Sequence, residues 1–211
     1  MNLLELFAGS KSVGRTGVEL GYNVFSVDWN NYDGIDLQID IEALRLSDVP
    51  FVPDVIWASP DCTTYTIAAI STHRTGTEPK TDYARKCDSV NKHFISLIKD
   101  WLIINPGLVF FIENPRGMFR KMPFMQEFTR HTLWYCQYGD DRAKPTDIFT
   151  NSNTWMPRPV CHNGNKDCHH QPSPRGCKTG TQGRKGSYDR SKIPLELCNE
   201  VLSSCFVKPT K

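Results

Sequence analysis

Two side chains in this sequence are of the types needed for covalent chemistry on an electron-poor carbon. Cys62 lies in Trp57-Ala58-Ser59-Pro60-Asp61-Cys62-Thr63-Thr64-Tyr65-Thr66, just past an apolar run that Ser59-Pro60 breaks. Glu113 closes the run Phe110-Phe111-Ile112 and is followed by Asn114-Pro115-Arg116-Gly117. A cysteine becomes a nucleophile as its thiolate, and a free thiol with a pKa of about 8.5 is only a few per cent ionised near neutrality. A carboxyl at the edge of an apolar strand is expected to hold its proton longer than in water, and so can donate it. Taken singly, each residue has a plainer explanation: a buried structural thiol, and a carboxylate paired with Arg116.

A second group suits a nucleoside. Leu4-Glu5-Leu6-Phe7-Ala8-Gly9-Ser10-Lys11-Ser12-Val13-Gly14 reads as strand, tight turn and helix. Small residues let a ligand approach the backbone, and a helix N-terminus offers free N–H groups and partial positive charge. Asp28 ends the next apolar run, where a carboxylate commonly binds ribose hydroxyls, and Trp29 can cover an adenine face.

These residues need a scaffold that brings strand ends together. Asn2–Phe7, Val24–Val27, Asp54–Ala58, Leu108–Ile112, Thr132–Gln137 and Asp147–Thr150 read as strands, and Leu108–Ile112 is apolar throughout, as a strand buried on both faces must be. Val13–Leu20, Tyr83–Ile104 and Leu195–Phe206 have helical spacing. Strands alternating with helices predict an α/β fold: an open, mostly parallel twisted sheet with helices on both faces, whose ligands sit at the carboxyl ends of the strands. Residues 1–150 are expected to form the catalytic domain, 151–188 a small Cys/His-rich insert, and 189–211 a C-terminal helix returning to the catalytic domain.

The insert differs in character. Ser152–Lys192 carries eight basic residues (Arg158, Lys166, Arg175, Lys178, Arg184, Lys185, Arg190, Lys192) against Asp167 and Asp189, whereas the whole chain is only +2. A basic stretch on a near-neutral body fits a polyanion partner. It also holds Cys161-His162, Cys168-His169-His170 and Cys177. Structural zinc takes four N/S ligands, and Cys161, Cys168 and Cys177 with His169 or His170 would supply them, with His170 preferred. A metal would give shape to a Gly/Lys/Pro-rich segment that lacks a core.

The chain has 211 residues, 39% of them hydrophobic and 23% charged, which excludes a collagen-like chain and wholesale disorder. Its apolar runs fall far short of the ~20 residues that span a bilayer. Glu5 stands where a signal peptide would be apolar, so the sequence reads as a cytoplasmic protein without a membrane partner, and a monomer is expected. The eight cysteines do not read as a disulfide scaffold in a chain of this length. Cys87, Cys136, Cys198 and Cys205 are expected to be core or surface thiols.

Taken in order, these segments resemble the DNA (cytosine-5)-methyltransferases, in a small, phage-like form. Phe7-Ala8-Gly9 resembles the family's cofactor turn, Pro60-Asp61-Cys62 with Tyr65 its Pro-Cys nucleophile loop, and Glu113-Asn114-Pro115 its Glu-Asn-Val. Tyr138-Gly139 with Arg142 and Lys144 looks like its Arg-x-Arg motif, and Arg190-Ser191-Lys192-Ile193-Pro194 like its closing cofactor motif. Lys11, Ser12, Asp61 and Thr63 depart from the family pattern.

The resemblance implies an S-adenosylmethionine-dependent enzyme that acts on a flipped-out cytosine. Cys62 would add to C6, Glu113 would hold N3 and the exocyclic amine, and Arg142 would fix the ring carbonyl or orient Glu113. The cofactor would touch Phe7, Ala8, Gly9, Ser10, Asp28, Trp29, Pro60 and Ser191, with Asp40-Ile41 at the adenine. Residues 151–188 would be a minimal DNA-reading insert. Lys11 and Lys192 raise the further option of a carboxylated methyl donor. The rival readings are an RNA substrate and a zinc-pinned nucleic-acid-binding protein with a vestigial catalytic domain.

Overall fold

The computed structural model describes residues 1–173 and 186–207. Among them, seven strands form one sheet: β1 (Asn2–Leu6), β2 (Asn23–Asp28), β3 (Leu37–Gln38), β4 (Val55–Ala58), β5 (Val109–Pro115), β6 (Thr129–Trp134) and β7 (Pro145–Thr150). Their spatial order is β3-β2-β1-β4-β5-β7-β6. All run parallel except β7, which is antiparallel to both of its neighbours. This is the expected open, mostly parallel sheet. The order reverses between β1 and β4, so the crevice above their carboxyl ends is where a ligand fits.

Side-chain alternation divides the core in two. Leu4, Leu6, Ile56, Ala58, Phe110 and Ile112 face α2 (Asp82–Ile104), where they meet Phe94, Leu97, Ile98 and Trp101. Leu3, Val55, Trp57 and Phe111 face the other way, onto Val13 of α1 (Ser12–Glu19) and onto Leu197, Val201 and Leu202 of α3 (Leu195–Ser204). A sheet buried on both faces carries continuous apolar strands, which is why β4 and β5 show no polar alternation.

Helix α2 is capped by Thr81, whose hydroxyl accepts from the Ala84 amide. It begins and ends within a residue of the expected span. Helices α1 and α3 also form close to where helical spacing placed them. The two-residue strand β3, the short hairpin pairing Arg74-Thr75 with Glu78-Pro79, and six 3-10 turns have no counterpart in the sequence reading. Each is too short to leave a periodic signal.

Trp155, in the segment expected to open the insert, is buried in the core and packs edge-on against Phe111. The thiols of Cys87 and Cys198 are core residues, as expected. Cys177 lies outside the described residues, as do Arg175, Lys178, Arg184 and Lys185. Among the described residues, no helix is long and apolar enough to cross a membrane.

Candidate active site

Strands β4 and β5 are adjacent and in register, Ala58 opposite Ile112. Glu113 follows Ile112 directly, and Cys62 sits on the loop leaving Ala58, so both groups emerge at one sheet edge. Asn114 ties the two together: its side-chain amide donates to the Pro60 carbonyl at 3.0 Å. A second tie runs from the Met118 amide to the Tyr65 carbonyl at 2.7 Å. Gly117 is required there, because a Cβ would overlap the Tyr65 carbonyl oxygen.

The loop is also fastened to α2. Arg74 is buried and donates to both carboxylate oxygens of Asp88, at 2.6 and 3.0 Å. It donates as well to the Thr64 carbonyl and hydroxyl, each at 3.0 Å, and lies 4.1 Å over the Tyr65 ring. The Tyr65 hydroxyl donates to Asp88 at 2.6 Å and accepts from Asn91 at 2.8 Å. A buried charge is tolerable only when paired and hydrogen-bonded, and this pair is both. On the loop's outer side, Asp61 accepts from the Thr63 amide at 2.6 Å and from the Tyr83 hydroxyl of α2.

The Cys62 thiol is pushed up to about 11. Burial does most of this, Glu113 and Asp61 add to it, and the Lys144 ammonium opposes it. In the free protein it is therefore a thiol near neutral pH.

Glu113 is buried and takes its partners from two residues of the β6–β7 region. The Tyr135 hydroxyl donates to Oε1 at 2.8 Å, and Lys144 Nζ stands 3.8 Å from the same oxygen. The ammonium also lies 4.5 Å over the Tyr135 ring. Lys144 thus faces both the thiol and the carboxylate, from just before β7. Arg142 was expected to fix the ring carbonyl or to orient Glu113; the described partners of Glu113 are instead Tyr135 and Lys144. Its Nε donates to Asp140 Oδ1 at 2.7 Å and its Nη2 to Asp140 Oδ2, so it braces the Gly139 turn. Its Nη1 is buried without a partner among the described residues. The turn draws Arg142 aside and leaves Lys144, two residues on, to reach Glu113.

The turn between β1 and α1 is unusual in its backbone. Phe7, Gly9 and Lys11 all have positive φ, at 56°, 48° and 53°. For Phe7 and Lys11 this conformation is costly, and such outliers gather where a ligand is held. Lys11 adopts the left-handed backbone conformation that glycine favours. Asp28 is buried and braces this turn, accepting from the Gly9 amide at 2.9 Å and from the Asn30 amide at 2.8 Å. Trp29 beside it is 70% exposed, a broad apolar face left open among the described residues.

Ser191 approaches from the returning C-terminal segment: a Cβ built on Gly9 would lie 3.6 Å from its Oγ. Ser10 is buried and shares a hydrogen bond with Ser12 at 2.9 Å, and Ser12 accepts from the Ile193 amide at 3.3 Å. Asp40 caps its own turn through the Glu42 amide and pairs with Lys86 of α2, which holds its carboxyl below the ordinary value, while Ile41 is buried. Lys11 donates to the Gly34 carbonyl and Lys192 pairs with Asp189, so both lysines are engaged within the chain.

Glu5 lies directly beneath this turn. It is buried, accepts from Ser26 at 3.0 Å and from the first amides of α1, and burial pushes its carboxyl up to about 7. Gly14 makes room for it, since a Cβ there would overlap the carboxylate.

Part of the basic stretch is also internal. Arg158 pairs with Glu196 and Glu200 of α3 at 2.6 and 2.8 Å and is not free for a polyanion.

With this geometry in hand, the comparisons are informative. No family model matches the chain. Over 220 residues it is 24% identical to a protein of Frog virus 3 (isolate Goorha) named "Probable DNA (cytosine-5)-methyltransferase", covering 97% of this chain and 100% of that one. The resemblance to the cytosine-5 methyltransferases is borne out. Among solved structures, the chain is similar to the Dnmt2 methyltransferase of S. pombe (16% identity, TM-score 0.48, 74% of this chain and 52% of that one). It is similar also to a mutant DNMT2 of Spodoptera frugiperda (18% identity, TM-score 0.49, 77% and 57%). The chain spans just over half the length of these two structures. The full-length likeness to the Frog virus 3 protein supports methyltransferase activity.

Proposed function

We propose that this protein transfers a methyl group from S-adenosylmethionine to C5 of cytosine in DNA, through a covalent bond to Cys62. The observation that carries this reading is the meeting of a thiol, a carboxyl and an ammonium at the edge of one sheet. Cys62 and Glu113 leave adjacent parallel strands, Lys144 faces both, and the left-handed turn at Phe7–Lys11 lies along the same edge. The relative from Frog virus 3, named for DNA and cytosine C5, supports the substrate.

The residues present fit the cofactor. Gly9 leaves a cradle beside Ser191, Trp29 offers an uncovered aromatic face, and Asp28 stands at the strand end where ribose hydroxyls are held. Phe7, Ala8, Gly9, Ser10, Asp28, Trp29, Asp40, Ile41, Pro60 and Ser191 would hold it. Bound there, S-adenosylmethionine supplies an electrophilic methyl on a sulfonium.

The protein's own groups do the rest. Cytosine C5 is a poor nucleophile until C6 is attacked. The Cys62 thiol loses its proton and its sulfur bonds to C6, which moves electron density to C5 and N3. Glu113 holds the exocyclic amine and passes a proton to N3 as negative charge develops there. Lys144 favours the thiolate and, with Tyr135, fixes the carboxyl. After the methyl reaches C5, a base takes the C5 proton, the sulfur–C6 bond breaks and the thiolate is restored. The base must first leave the duplex, at a cost of a few kcal/mol. Residues 151–188 would read the DNA, with Lys166 among the cations available to it.

The test is incubation with labelled S-adenosylmethionine and either mixed-sequence duplex DNA or RNA, followed by nucleoside mass spectrometry. Label in 5-methylcytosine from DNA, lost in Glu113→Ala, is expected. Label confined to RNA replaces the substrate; label on an exocyclic amine, or none, overturns the reading.

A further inference from the structure

Sequence spacing placed the metal ligands within the insert; among the described residues three of them, Cys161, Cys168 and His170, meet Cys136, while Cys177 lies outside those residues. Cys136, Cys161, Cys168 and His170 bring three sulfurs and a ring nitrogen within 4.8 Å of one another. Cys136, Cys161 and His170 are buried and Cys168 is half-buried. Cys161 Sγ and His170 Nδ1 are 3.9 Å apart. Zinc with sulfur ligands at about 2.3 Å in a tetrahedron has sulfur–sulfur edges of about 3.8 Å. The cluster closes to that size with shifts of about an ångström.

The surroundings call for such a centre. The local core is Cys136, Ala143 and Cys161, with Trp134 and Cys168 at its margin, too small to fix the surrounding segments by burial.

Cys136 is the informative member. It comes from the 3-10 turn after β6, next to Tyr135, and the sequence offered it only as a core or surface thiol. From the insert side, His169 Nε2 meets the Asp140 carbonyl at 3.0 Å, and the Gln171 amide donates to the Asp141 carbonyl at 2.9 Å. These contacts bracket the stretch that ends at Lys144. Tyr135 and Lys144 are the two residues that hold Glu113.

We propose that Cys136, Cys161, Cys168 and His170 bind one zinc ion that pins the insert to the segment carrying Tyr135 and Lys144. Four protein ligands leave no open position, so the site is structural. Its loading also sets a condition on His170. Nε2 lies 3.3 Å from the Gly164 amide, a contact that loosens when Nδ1 takes metal and the ring proton moves to Nε2.

The test uses the full chain, purified without chelator, with metal measured by plasma mass spectrometry and cobalt substitution followed by absorption spectroscopy. One zinc per chain is expected, with cobalt giving a thiolate charge-transfer band and the visible bands of a tetrahedral ion. Cys136→Ser and Cys161→Ser should each lower bound zinc at least tenfold. Cys205→Ser, on a thiol outside the cluster, should leave it unchanged. Cys136→His keeps four ligands and should retain the metal with a weaker charge-transfer band, so loss of folding in the serine variants does not decide the matter.

Protein that takes up neither metal overturns the site. Full zinc in Cys136→Ser together with its loss in Cys177→Ser overturns the assignment of the fourth ligand. A metal-free wild type that still methylates cytosine would sink this inference and leave the proposed function standing. A zinc-loaded chain without methyl transfer would do the reverse.

Discussion

The pKa of Cys62 makes a quantitative statement about the resting enzyme. A thiol at the ordinary value of 9.0 would be about a tenth ionised at pH 8, whereas one near 11 is ionised about one part in a thousand. Alkylation by iodoacetamide follows the thiolate, so Cys62 in the free protein should react about a hundredfold more slowly than an unburied cysteine at pH 8. The log of its rate should rise with unit slope up to pH 10 without levelling. Lys144→Met removes the charge that opposes burial and should slow the reaction further. Asp61→Asn removes a charge that adds to it and should speed the reaction. Peptide-resolved mass spectrometry separates Cys62 from the other thiols. A plateau below pH 9, or a faster reaction in Lys144→Met, would refute the dominance of burial over the ammonium.

Glu5 predicts a pH dependence of stability. Its folded pKa of about 7 lies above the ordinary 4.5, so the native state holds the proton longer than the unfolded chain. The sign follows: its favourable contribution is complete below pH 4.5, declines as pH rises toward 7 and is gone above, a change of about 3 kcal/mol. Urea melts at pH 5 and 8 should show this loss in wild type and a smaller one in Glu5→Gln; equal slopes would contradict it. Asp88→Ala strands the buried Arg74 and should cost about 3–5 kcal/mol, with methyl transfer falling further than the melt accounts for, because the Cys62 loop hangs on that pair. A melt unchanged within 1 kcal/mol would mean the pair is not a fastening. Trp29→Ala should weaken S-adenosylmethionine by about 1–3 kcal/mol in calorimetry through lost stacking, and an unchanged affinity would move the adenine elsewhere.

Much of this site was legible because its residues sit at the ends of apolar strands. Cys62 and Glu113 follow apolar runs that read as β-strands, and the βα rule then placed them at one edge. The turn between β1 and α1 was legible for the same reason. What was not legible depends on contacts distant in sequence. Arg142 and Lys144 have the same parity and similar charge, and only the Asp140 turn decides which one reaches Glu113. Arg74 and Asp88 are fourteen residues apart, and only the hairpin brings Arg74 under α2 to meet Asp88. Cys136 lay among apolar neighbours, and its role appears only when Cys161, Cys168 and His170 arrive from the other side. The burial of Glu5 was not legible, because a single acid in a strand gives no sign of the helix end that will cover it.

A trapping experiment tests the covalent mechanism most directly. DNA carrying 5-fluorocytosine blocks the final loss of the C5 substituent, so an enzyme that bonds to C6 stays attached. Wild-type protein with S-adenosylmethionine should give a denaturation-resistant complex whose modified peptide maps to Cys62, absent in Cys62→Ala. Methylation of ordinary DNA without any trapped complex, or a complex that persists in Cys62→Ala, would contradict it.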